Sequence, residues 1–337
     1  MRVLTSPSVS SSVGGAAPKR TGRGSAAVTA RLDRLRRFLG AYWLRPENAF
    51  WMTLRSLVLD RCVPRAPMLD LACGDGVFSF LHAGGVFADE FDVFQAVGRL
   101  DEVATRNADM FDAASERYQP AILHPPGRRI EVGADHKPAL LAKAAALGLY
   151  RRRVELDANR PLPFTDGAFA VVYCNSAYWI REIDTLLGEL RRIVRPGGQI
   201  ILHIKLADMR RYTLEPFRKQ LGARFLAIID RGRRDCWPTV ASRGEWERRF
   251  RAAGLAVRDA TPFVTRTHAQ IWDVGLRPLA PLLVRMANGL TARTRAAIKR
   301  EWVALFMELL DPICRPDFDL FATPDEPAEI QYVLTGD

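Results

Sequence analysis

The sequence has few cysteines, and they are not paired. Five cysteines occur among 337 residues, and no two of them have the C-x-x-C spacing: Cys62, Cys73, Cys174, Cys236 and Cys314. An odd count without such spacing argues against a disulfide framework and a zinc knuckle, and is typical of a reducing compartment. His82, His124 and the cysteines also lack metal-ligand spacing. We therefore expect a cytoplasmic protein without a metal site.

The chain also lacks an apolar run long enough to span a membrane. A spanning helix needs about 20 apolar residues. The longest candidate, LRPLAPLLVRMANGL (276–290), is interrupted by Arg277, Arg285 and two prolines. No signal peptide is recognisable. We expect no membrane span, and the 48% hydrophobic content predicts a sizeable core.

Acidic residues are almost missing from the first 40 positions. This segment holds eight Lys or Arg and one acid, Asp33, so it carries +7 of the net charge of +11. We expect residues 1–30 to be a disordered basic leader, although the same composition suits a transit peptide. Residues 31–337 form the predicted domain. Its near-neutral body lacks the basic face that phosphate contacts require, which disfavours nucleic acid as a partner.

Apolar runs and turn residues alternate regularly from position 67 to 204. The pattern predicts, in order, the strand MLDLA, the helix GVFSFLHA, the strand RIEVGA, the helix KPALLAKAAALGLY, the strands RRVELDA and AFAVVYC, the helix IREIDTLLGELRRIV, a Pro-Gly-Gly stop and the strand QIILHI. Two later runs, GLAVRDATPFV and AEIQYVLTG, predict closing strands. We therefore predict an α/β fold with a doubly wound, mostly parallel seven-stranded sheet and helical insertions.

Two stretches interrupt the alternation and are predicted insertions. Residues 84–128 are irregular, and residues 275–312 have a helical pattern. A further helix is predicted over 48–63. The aromatic stretch that precedes and enters it, YWLRPENAFW (42–51), is either a lid over a ligand, with Arg45 facing that ligand, or an ordinary packing helix.

Polar residues follow the predicted strands where a ligand would bind. Asp70 lies in the first strand, and the turn Gly74-x-Gly76 follows it and precedes a helix. A glycine turn lets the backbone approach a ligand, and a helix N-terminus favours anionic groups. Asp135, Asp157 and Asn175 follow later strands. Ligands bind beyond the carboxyl ends of such strands. This pattern suits a nucleoside, because a carboxylate can accept hydrogen bonds from both ribose hydroxyls.

Several motifs together resemble a known family. LDLACGDG resembles the first motif of the class I S-adenosylmethionine-dependent methyltransferases, DANRPLPFTDGAFAVVYC resembles their later motifs, and LRRIVRPGGQIIL resembles their helix, Pro-Gly-Gly turn and fifth strand. The resemblance covers residues 67–205 closely. It implies a Rossmann-like sheet, S-adenosylmethionine as cofactor and methyl transfer as the activity.

The resemblance also implies roles for particular residues. The methionine part of the cofactor would be held by the loop after the first strand, the ribose by an acid after the second, the adenine by the loop after the third, and the sulfonium side by the loop after the fourth. In that order the residues are Asp70, Ala72, Cys73, Gly74 and Gly76; Asp135 with His136 beside it; Asp157 and Ala158; and Asn175.

The ribose acid requires a choice between two aspartates. In the family it usually stands some 20 residues after the first motif, whereas here Asp92 lies 16 residues after Gly76 and Asp135 lies 59 after it. We choose Asp135 because it ends a predicted strand and precedes a helix. It also stands 22 residues before Asp157, which leaves room for one helix and one strand.

The acceptor is not readable from the sequence. In-line methyl transfer needs orientation of the nucleophile more than a fixed catalytic set, and no such set stands out. Tyr178, His203 and His268 are candidates for the acceptor side, each with a structural alternative: helix packing, a core histidine and a surface-loop histidine. Oligomeric state is not predicted.

Three functions remain open at this point. They are a small-molecule methyltransferase acting on O, N or C of a metabolite, sugar or secondary metabolite; a nucleic-acid methyltransferase; and a non-catalytic, cofactor-binding scaffold. Methyltransferases of exocyclic base amines typically carry an Asn/Asp-Pro-Pro-aromatic sequence after the fourth strand, but this chain has CNSAYW there. The small-molecule reading is therefore favoured.

Overall fold

A seven-stranded sheet organises the chain. The structure is a computed structural model that describes residues 23–95, 97, 118–230, 236–315, 318 and 326–336. The strands of the sheet are β1 (Met68–Leu71), β4 (Ile130–Asp135), β5 (Tyr150–Glu155), β6 (Phe169–Cys174), β7 (Val194–Lys205), β8 (Leu255–Val264) and β9 (Glu329–Gly336). Their order is β5-β4-β1-β6-β7-β9-β8, which confirms the predicted seven-stranded fold.

Strand direction agrees with the predicted topology. The five strands from β5 to β7 are parallel, and β9 pairs antiparallel with both β7 and β8. Every residue of β6 is buried, as expected for a central strand whose two faces are both covered by helices. The carboxyl ends of β1, β4, β5 and β6 therefore share one edge of the sheet.

Twelve helices are described around the sheet. They are α1 (Arg23–Tyr42), α2 (Pro46–Leu59), α3 (Val77–His82), α4 (Pro138–Ala145), α5 (Ile183–Ile193), α6 (Met209–Tyr212), α7 (Arg218–Leu221), α8 (Ala223–Asp230), α9 (Arg243–Ala252), α10 (Arg266–Asp273), α11 (Ala280–Asn288) and α12 (Ala292–Leu310). Helix α5 shows why they form. Its apolar residues recur every three or four positions, and Ile183, Leu187 and Leu190 are all buried.

The boundary of the predicted leader needs correction. Helix α1 begins at Arg23, inside the segment 1–30 that was expected to be disordered. Residues 27–30 of the helix are exposed, whereas Leu35, Phe38 and Leu39 are fully buried. Because a nucleated helix adds further residues at little cost, the packed turns extend the helix backwards into solvent. Residues 1–22 lie outside the described residues.

The Pro-Gly-Gly stop lies within a strand rather than between two elements. Helix α5 ends at Ile193, and β7 begins at the next residue, so Pro196, Gly197 and Gly198 fall inside its bounds. Gly197 has a φ of +72°, and the pairing with β6 shifts register here. Such an irregularity bends the start of the strand without ending it.

The two predicted insertions differ in structure. Within 84–128, β2 (Val86–Phe87) and β3 (Ile122–His124) form a short antiparallel ribbon, while residues 96 and 98–117 lie outside the described residues. Helices α11 and α12 occupy most of 275–312. No helix in the described part of the chain is long and apolar enough to cross a membrane.

Candidate cofactor and acceptor site

The loop after β1 is tied to the end of the neighbouring strand β4. The Cys73 amide donates to the carbonyl of Ala134 over 3.0 Å, and the Gly74 amide donates to Oδ2 of Asp135 over 2.9 Å. Gly74 has a φ of +60°, and a Cβ added to it would meet nothing within 4 Å. The loop therefore has a fixed backbone with open space beside Gly74, at the strand ends where ligands bind in such folds.

Gly76 has a different role in the same loop. It precedes α3 with a φ of +75°, and an added Cβ would lie 3.0 Å from the Tyr150 ring and 3.3 Å from Cβ of Ala144. Gly76 is thus required for close packing of the loop against β5 and α4. Ala72, with a φ of +57°, is the one non-glycine residue in the described chain that has a left-handed backbone.

Asp70 lies beneath the loop rather than in the open space. Its side chain is buried, and the hydroxyls of Ser79 and Tyr150 donate to its Oδ2 over 2.5 and 2.6 Å. Burial raises the pKa of Asp70 to about 6, although the two hydrogen bonds oppose that shift. The side chain of Asp70 fastens β1 to α3 and β5. Its contact with the methionine part stays a prediction.

The acids after β4 and β5 lie at the shared strand edge. Asp135 ends β4 opposite Glu155 of β5, and its Oδ1 accepts a hydrogen bond from the Lys137 amide over 3.0 Å. His136 is more than half exposed, with Nδ1 3.4 Å from Oδ1 of Asp135. Asp157 is exposed, and hydrogen bonds from the backbone and side chain of Asn159 lower its pKa.

The remaining cofactor candidates lie in the loops after β5 and β6. Ala158 follows Asp157 and is buried. Asn175 follows the last residue of β6, and its Oδ1 accepts a hydrogen bond from the Ser176 hydroxyl over 2.7 Å. The predicted cofactor residues other than Asp70 therefore line the loops after four adjacent parallel strands.

The alternative ribose acid, Asp92, is committed elsewhere. Its side chain is fully buried in the first insertion. It accepts hydrogen bonds from Nε1 of Trp43 over 2.9 Å and from Nη2 of Arg295 over 2.8 Å. Through these two hydrogen bonds, Asp92 connects the insertion to the residue directly after α1 and to α12. The geometry thus favours Asp135 over Asp92.

Two histidine candidates are engaged through both ring nitrogens. Nδ1 of His203 lies 3.3 Å from the Tyr173 hydroxyl and Nε2 lies 2.9 Å from Oε1 of Gln331. Burial lowers the pKa of His203 to about 3, so the ring is neutral at physiological pH. His203 is fully buried in the core, as its structural alternative proposed.

His268 is neither a surface-loop residue nor an available base. It is buried at the third position of α10, where Nδ1 accepts a hydrogen bond from the Thr265 amide over 3.0 Å. Nε2 lies 2.7 Å from the carbonyl of Ile313 and donates to it. His268 therefore caps the start of α10, which corrects both readings made from the sequence.

The aromatic stretch 42–51 packs in the core. Tyr42, Trp43, Phe50 and Trp51 are all buried, and Arg45 forms a buried ion pair with Glu47. Of the two alternatives, the packing helix describes this stretch, because its aromatic rings are buried and the Arg45 guanidinium is already paired with Glu47.

Sequence reasoning missed a cluster at the carboxyl end of β7, here called the lysine box. It comprises Lys205, Glu329, Arg55 and the rings of Trp51, Tyr178, Trp237 and Trp272, all of them buried. Nζ of Lys205 ion-pairs with Glu329 and lies 4.5 to 5.5 Å from the four ring centroids. Such distances are those of cation–π contacts.

Charge within the lysine box is not balanced. Glu329 also accepts hydrogen bonds from Nη2 of Arg55 over 2.9 Å and from Nε1 of Trp51 over 3.2 Å. Burial opposes its ionisation, but the two cations hold the pKa of Glu329 at about 2. Arg55 Nη2 donates in addition to the Tyr178 hydroxyl over 3.0 Å, which makes Tyr178 the one predicted acceptor residue inside this cluster.

A local signal for the lysine box is present but weak. Lys205 is a cation directly after the apolar run QIILHI, and a buried cation there requires a partner. Its partner Glu329 is 124 residues away, and Arg55 is 274 residues from Glu329. No spacing rule connects positions so distant.

Comparisons with known proteins agree with this geometry. Residues 117–202 match the family described as a methyltransferase domain. The chain is 37% identical over 115 residues to a demethylmenaquinone methyltransferase of Thermus thermophilus, covering 32% of this chain and 47% of that protein. It is 30% identical over 127 residues to a malonyl-[acyl-carrier protein] O-methyltransferase of Halorhodospira halophila, covering 31% and 43%. The chain thus spans less than half the length of these relatives.

Solved structures include similar chains. A geranyl diphosphate C-methyltransferase of Streptomyces coelicolor, solved with S-adenosyl-L-homocysteine, is 15% identical with a TM-score of 0.36, covering 86% of this chain and 82% of that chain. In the described residues, no group of three or more His, Cys, Asp or Glu is placed to hold a metal ion. The matched sequence segment and the order of the sheet confirm the predicted family and its cofactor, S-adenosylmethionine. Over the matched residues the chain is similar to the class I S-adenosylmethionine-dependent methyltransferases.

Proposed function

We propose that this protein transfers a methyl group from S-adenosylmethionine to a small-molecule acceptor. The observation that carries the proposal is the loop after β1. Asp135 holds its backbone through the Gly74 amide, and the space beside Gly74 is open. A loop fixed in advance binds a ligand without an ordering cost, so it can hold the cofactor in one orientation.

The residues at the strand ends divide the cofactor among them. The backbone at Ala72, Cys73 and Gly74 holds the methionine part. Asp135, with His136 next to it in the chain, accepts hydrogen bonds from the ribose hydroxyls. Asp157 and Ala158 face the adenine, and Asn175 lies toward the sulfonium. When bound, S-adenosylmethionine supplies the electrophilic methyl group, so the protein contributes mainly orientation and exclusion of water.

The acceptor side is proposed to lie against the lysine box. Tyr178 belongs to the loop after β6, next to the segment that carries Asn175, and Lys205 ends β7. The box offers flat aromatic walls and an excess of positive charge, which suit a planar acceptor with an oxyanion or acidic hydroxyl. The names of the two curated relatives, a demethylmenaquinone methyltransferase and a malonyl-[acyl-carrier protein] O-methyltransferase, support an acceptor outside the nucleic acids.

Cofactor binding is the first test. We expect calorimetric titration of S-adenosylmethionine to give a measurable dissociation constant, and Asp135→Asn to weaken it at least tenfold because an amide accepts ribose hydrogen bonds less strongly. Asp166→Asn is a matched control, because Asp166 is 81% exposed and bonded to Arg192. Equal affinity of Asp135→Asn and wild type would contradict the assignment of the ribose acid.

Methyl transfer is tested separately with labelled cofactor. The purified protein is incubated with S-adenosylmethionine carrying a labelled methyl group and with pools of phenols, quinols, carboxylic acids and RNA. Label in a small-molecule pool supports the proposal, and label in RNA alone supports the nucleic-acid alternative. Cofactor binding without turnover in any pool would favour the scaffold.

We also propose a reducing, cytoplasmic setting and a single catalytic domain that begins with α1 at Arg23 rather than at residue 31. None of the five cysteines forms a disulfide, and burial raises the pKa of both Cys174 and Cys314 to about 12. Thiols with such values are poorly ionised and unreactive at neutral pH. Mass spectrometry of alkylated protein from its native host would test this setting, since a disulfide would contradict it.

A further inference from the structure

Two segments carry more than half of the exposed large apolar side chains among the described residues. The basic apolar face is defined as residues 214–230 and 274–290. It holds nine of the 17 exposed large apolar side chains among the described residues, although it contains only 34 residues. Soluble monomers rarely expose apolar side chains in such concentration, so this face needs an occupant.

The two segments form one surface. Helix α8 packs against the turn at 277–279 that leads into α11. Leu279, Leu282, Met286 and Leu290 recur at intervals of three and four and are all exposed, while Val284 and Ala287 on the other side of α11 are buried. The exposed stripe is therefore a second apolar face that the core of the protein does not use.

The charge of this surface is positive. Its 34 residues contain five Lys or Arg and two acids, and no acid occurs from position 274 to 300. One of the acids, Glu215, is bonded to Arg218. Lys219, Arg224 and Arg285 are exposed beside the apolar residues. The body of the protein outside the first 40 residues carries a net charge of only +4, of which this face supplies +3.

We propose that the basic apolar face docks on an anionic lipid bilayer. The apolar residues of α8 and α11 enter the boundary between headgroups and acyl chains, while the neighbouring lysine and arginines contact lipid phosphates. A symmetric dimer through this face would bring two copies of the same net-positive surface together, whereas an anionic bilayer neutralises its charge. The inference does not depend on methyl transfer.

Flotation with lipid vesicles tests the proposal in the full-length protein. We expect wild type to float with vesicles containing phosphatidylglycerol at low salt, and to bind pure phosphatidylcholine vesicles far less. Leu282→Glu with Met286→Glu should weaken binding about tenfold or more, because both apolar insertion and charge attraction are lost. The matched control is Leu305→Glu with Leu309→Glu, since these α12 residues are 57% and 56% exposed but lie outside the face.

Charge and self-association are examined in the same preparations. Lys219→Glu with Arg285→Glu should reduce binding to anionic vesicles and remove most of its salt dependence. Because the basic N-terminal segment is unchanged in every variant, undiminished binding of the Leu282/Met286 variant would assign binding elsewhere and overturn the proposal. Failure of wild type to float would also overturn it. The proposal would also be overturned if wild type were a dimer, if Leu282→Glu with Met286→Glu made it a monomer, and if neither form bound vesicles.

Discussion

The left-handed backbone at Ala72 is a local strain in the cofactor loop. A non-glycine residue at a φ of +57° pays about 1–2 kcal/mol for the contact between its Cβ and the backbone. The loop keeps this conformation because its neighbours Cys73 and Gly74 are hydrogen-bonded to the end of β4. The backbone of this loop is thus held by tertiary contacts rather than by its own preference.

Ala72→Gly should stabilise the protein. Relief of the strain exceeds the entropy cost of glycine, which is roughly 0.5–1 kcal/mol, so we expect a net gain of up to about 1 kcal/mol. Urea unfolding measures the change. Ala142→Gly, at an exposed position within α4, is the control and should lose about 0.5–1 kcal/mol. A loss at both positions would mean that the left-handed backbone is not strained.

His203 should make stability depend on pH. Its folded pKa of about 3 lies below the ordinary value of 6.5, so as pH falls the unfolded chain binds the proton first. The stability that neutral His203 contributes is complete above pH 6.5 and is lost progressively towards pH 3. The loss is about 2 kcal/mol at pH 5. The raised pKa of Asp70 acts in the opposite sense between pH 6 and 4. Comparison of variants separates the two.

His203→Gln isolates this contribution. Between pH 7 and pH 5 the unfolding free energy of wild type should fall by about 2 kcal/mol more than that of the variant. This holds whatever the absolute stability of the variant. Urea titrations at the two pH values provide the measurement. If the unfolding free energy of both proteins changed equally between the two pH values, the pKa of His203 would be the same in the folded and the unfolded chain.

At the scale of elements, a buried ion pair joins the first insertion to the helices around it. Asp92 accepts hydrogen bonds from Trp43, the residue directly after α1, and from Arg295 of α12. We expect Asp92→Asn to destabilise the protein by about 3–5 kcal/mol, because it leaves a buried guanidinium without its counter-charge. Affinity for S-adenosylmethionine, measured by calorimetry on the folded variant, should stay within about twofold of wild type. A selective loss of affinity would return Asp92 to the ribose site.

The lysine box joins α2, β7 and β9 in a similar way. Among the described residues, Glu329 is the carboxylate that pairs with both Lys205 and Arg55. Glu329→Gln should cost about 3–5 kcal/mol in unfolding free energy, because two buried cations then face each other. Lys205→Met should cost less, since Glu329 keeps its pair with Arg55. The opposite ranking in urea unfolding would indicate that the box is open to water.

At the scale of the whole molecule, ligand binding reports on the parallel sheet as one unit. Four strand ends contribute to the proposed cofactor site, so the cofactor binds the folded chain and not the unfolded one. S-adenosylmethionine at a hundredfold excess over its dissociation constant should stabilise the fold by about 2.7 kcal/mol. Thermal unfolding should then shift upwards by several degrees. Asp135→Asn at the same cofactor concentration should show a smaller shift, and Asp166→Asn the full one.

Much of the architecture was readable from the sequence because it depends on short-range patterns. The order of strands and helices from 67 to 205, the glycine loop and the two closing strands follow from apolar periodicity and turn residues. The choice of Asp135 rested on a strand ending beside a helix, and β4 ends at that residue. Each of these features is encoded within some ten to twenty neighbouring positions.

Tertiary structure alone decided which polar groups are free to act. His203 and His268 were acceptor candidates with structural alternatives, and Asp70 was a cofactor candidate, but each is held by partners that distant segments supply. The lysine box left only a weak local signal for the same reason, because its members come from distant segments. A sequence records which side chains can bond or ionise, whereas their burial and pairing depend on residues that meet only when the chain folds.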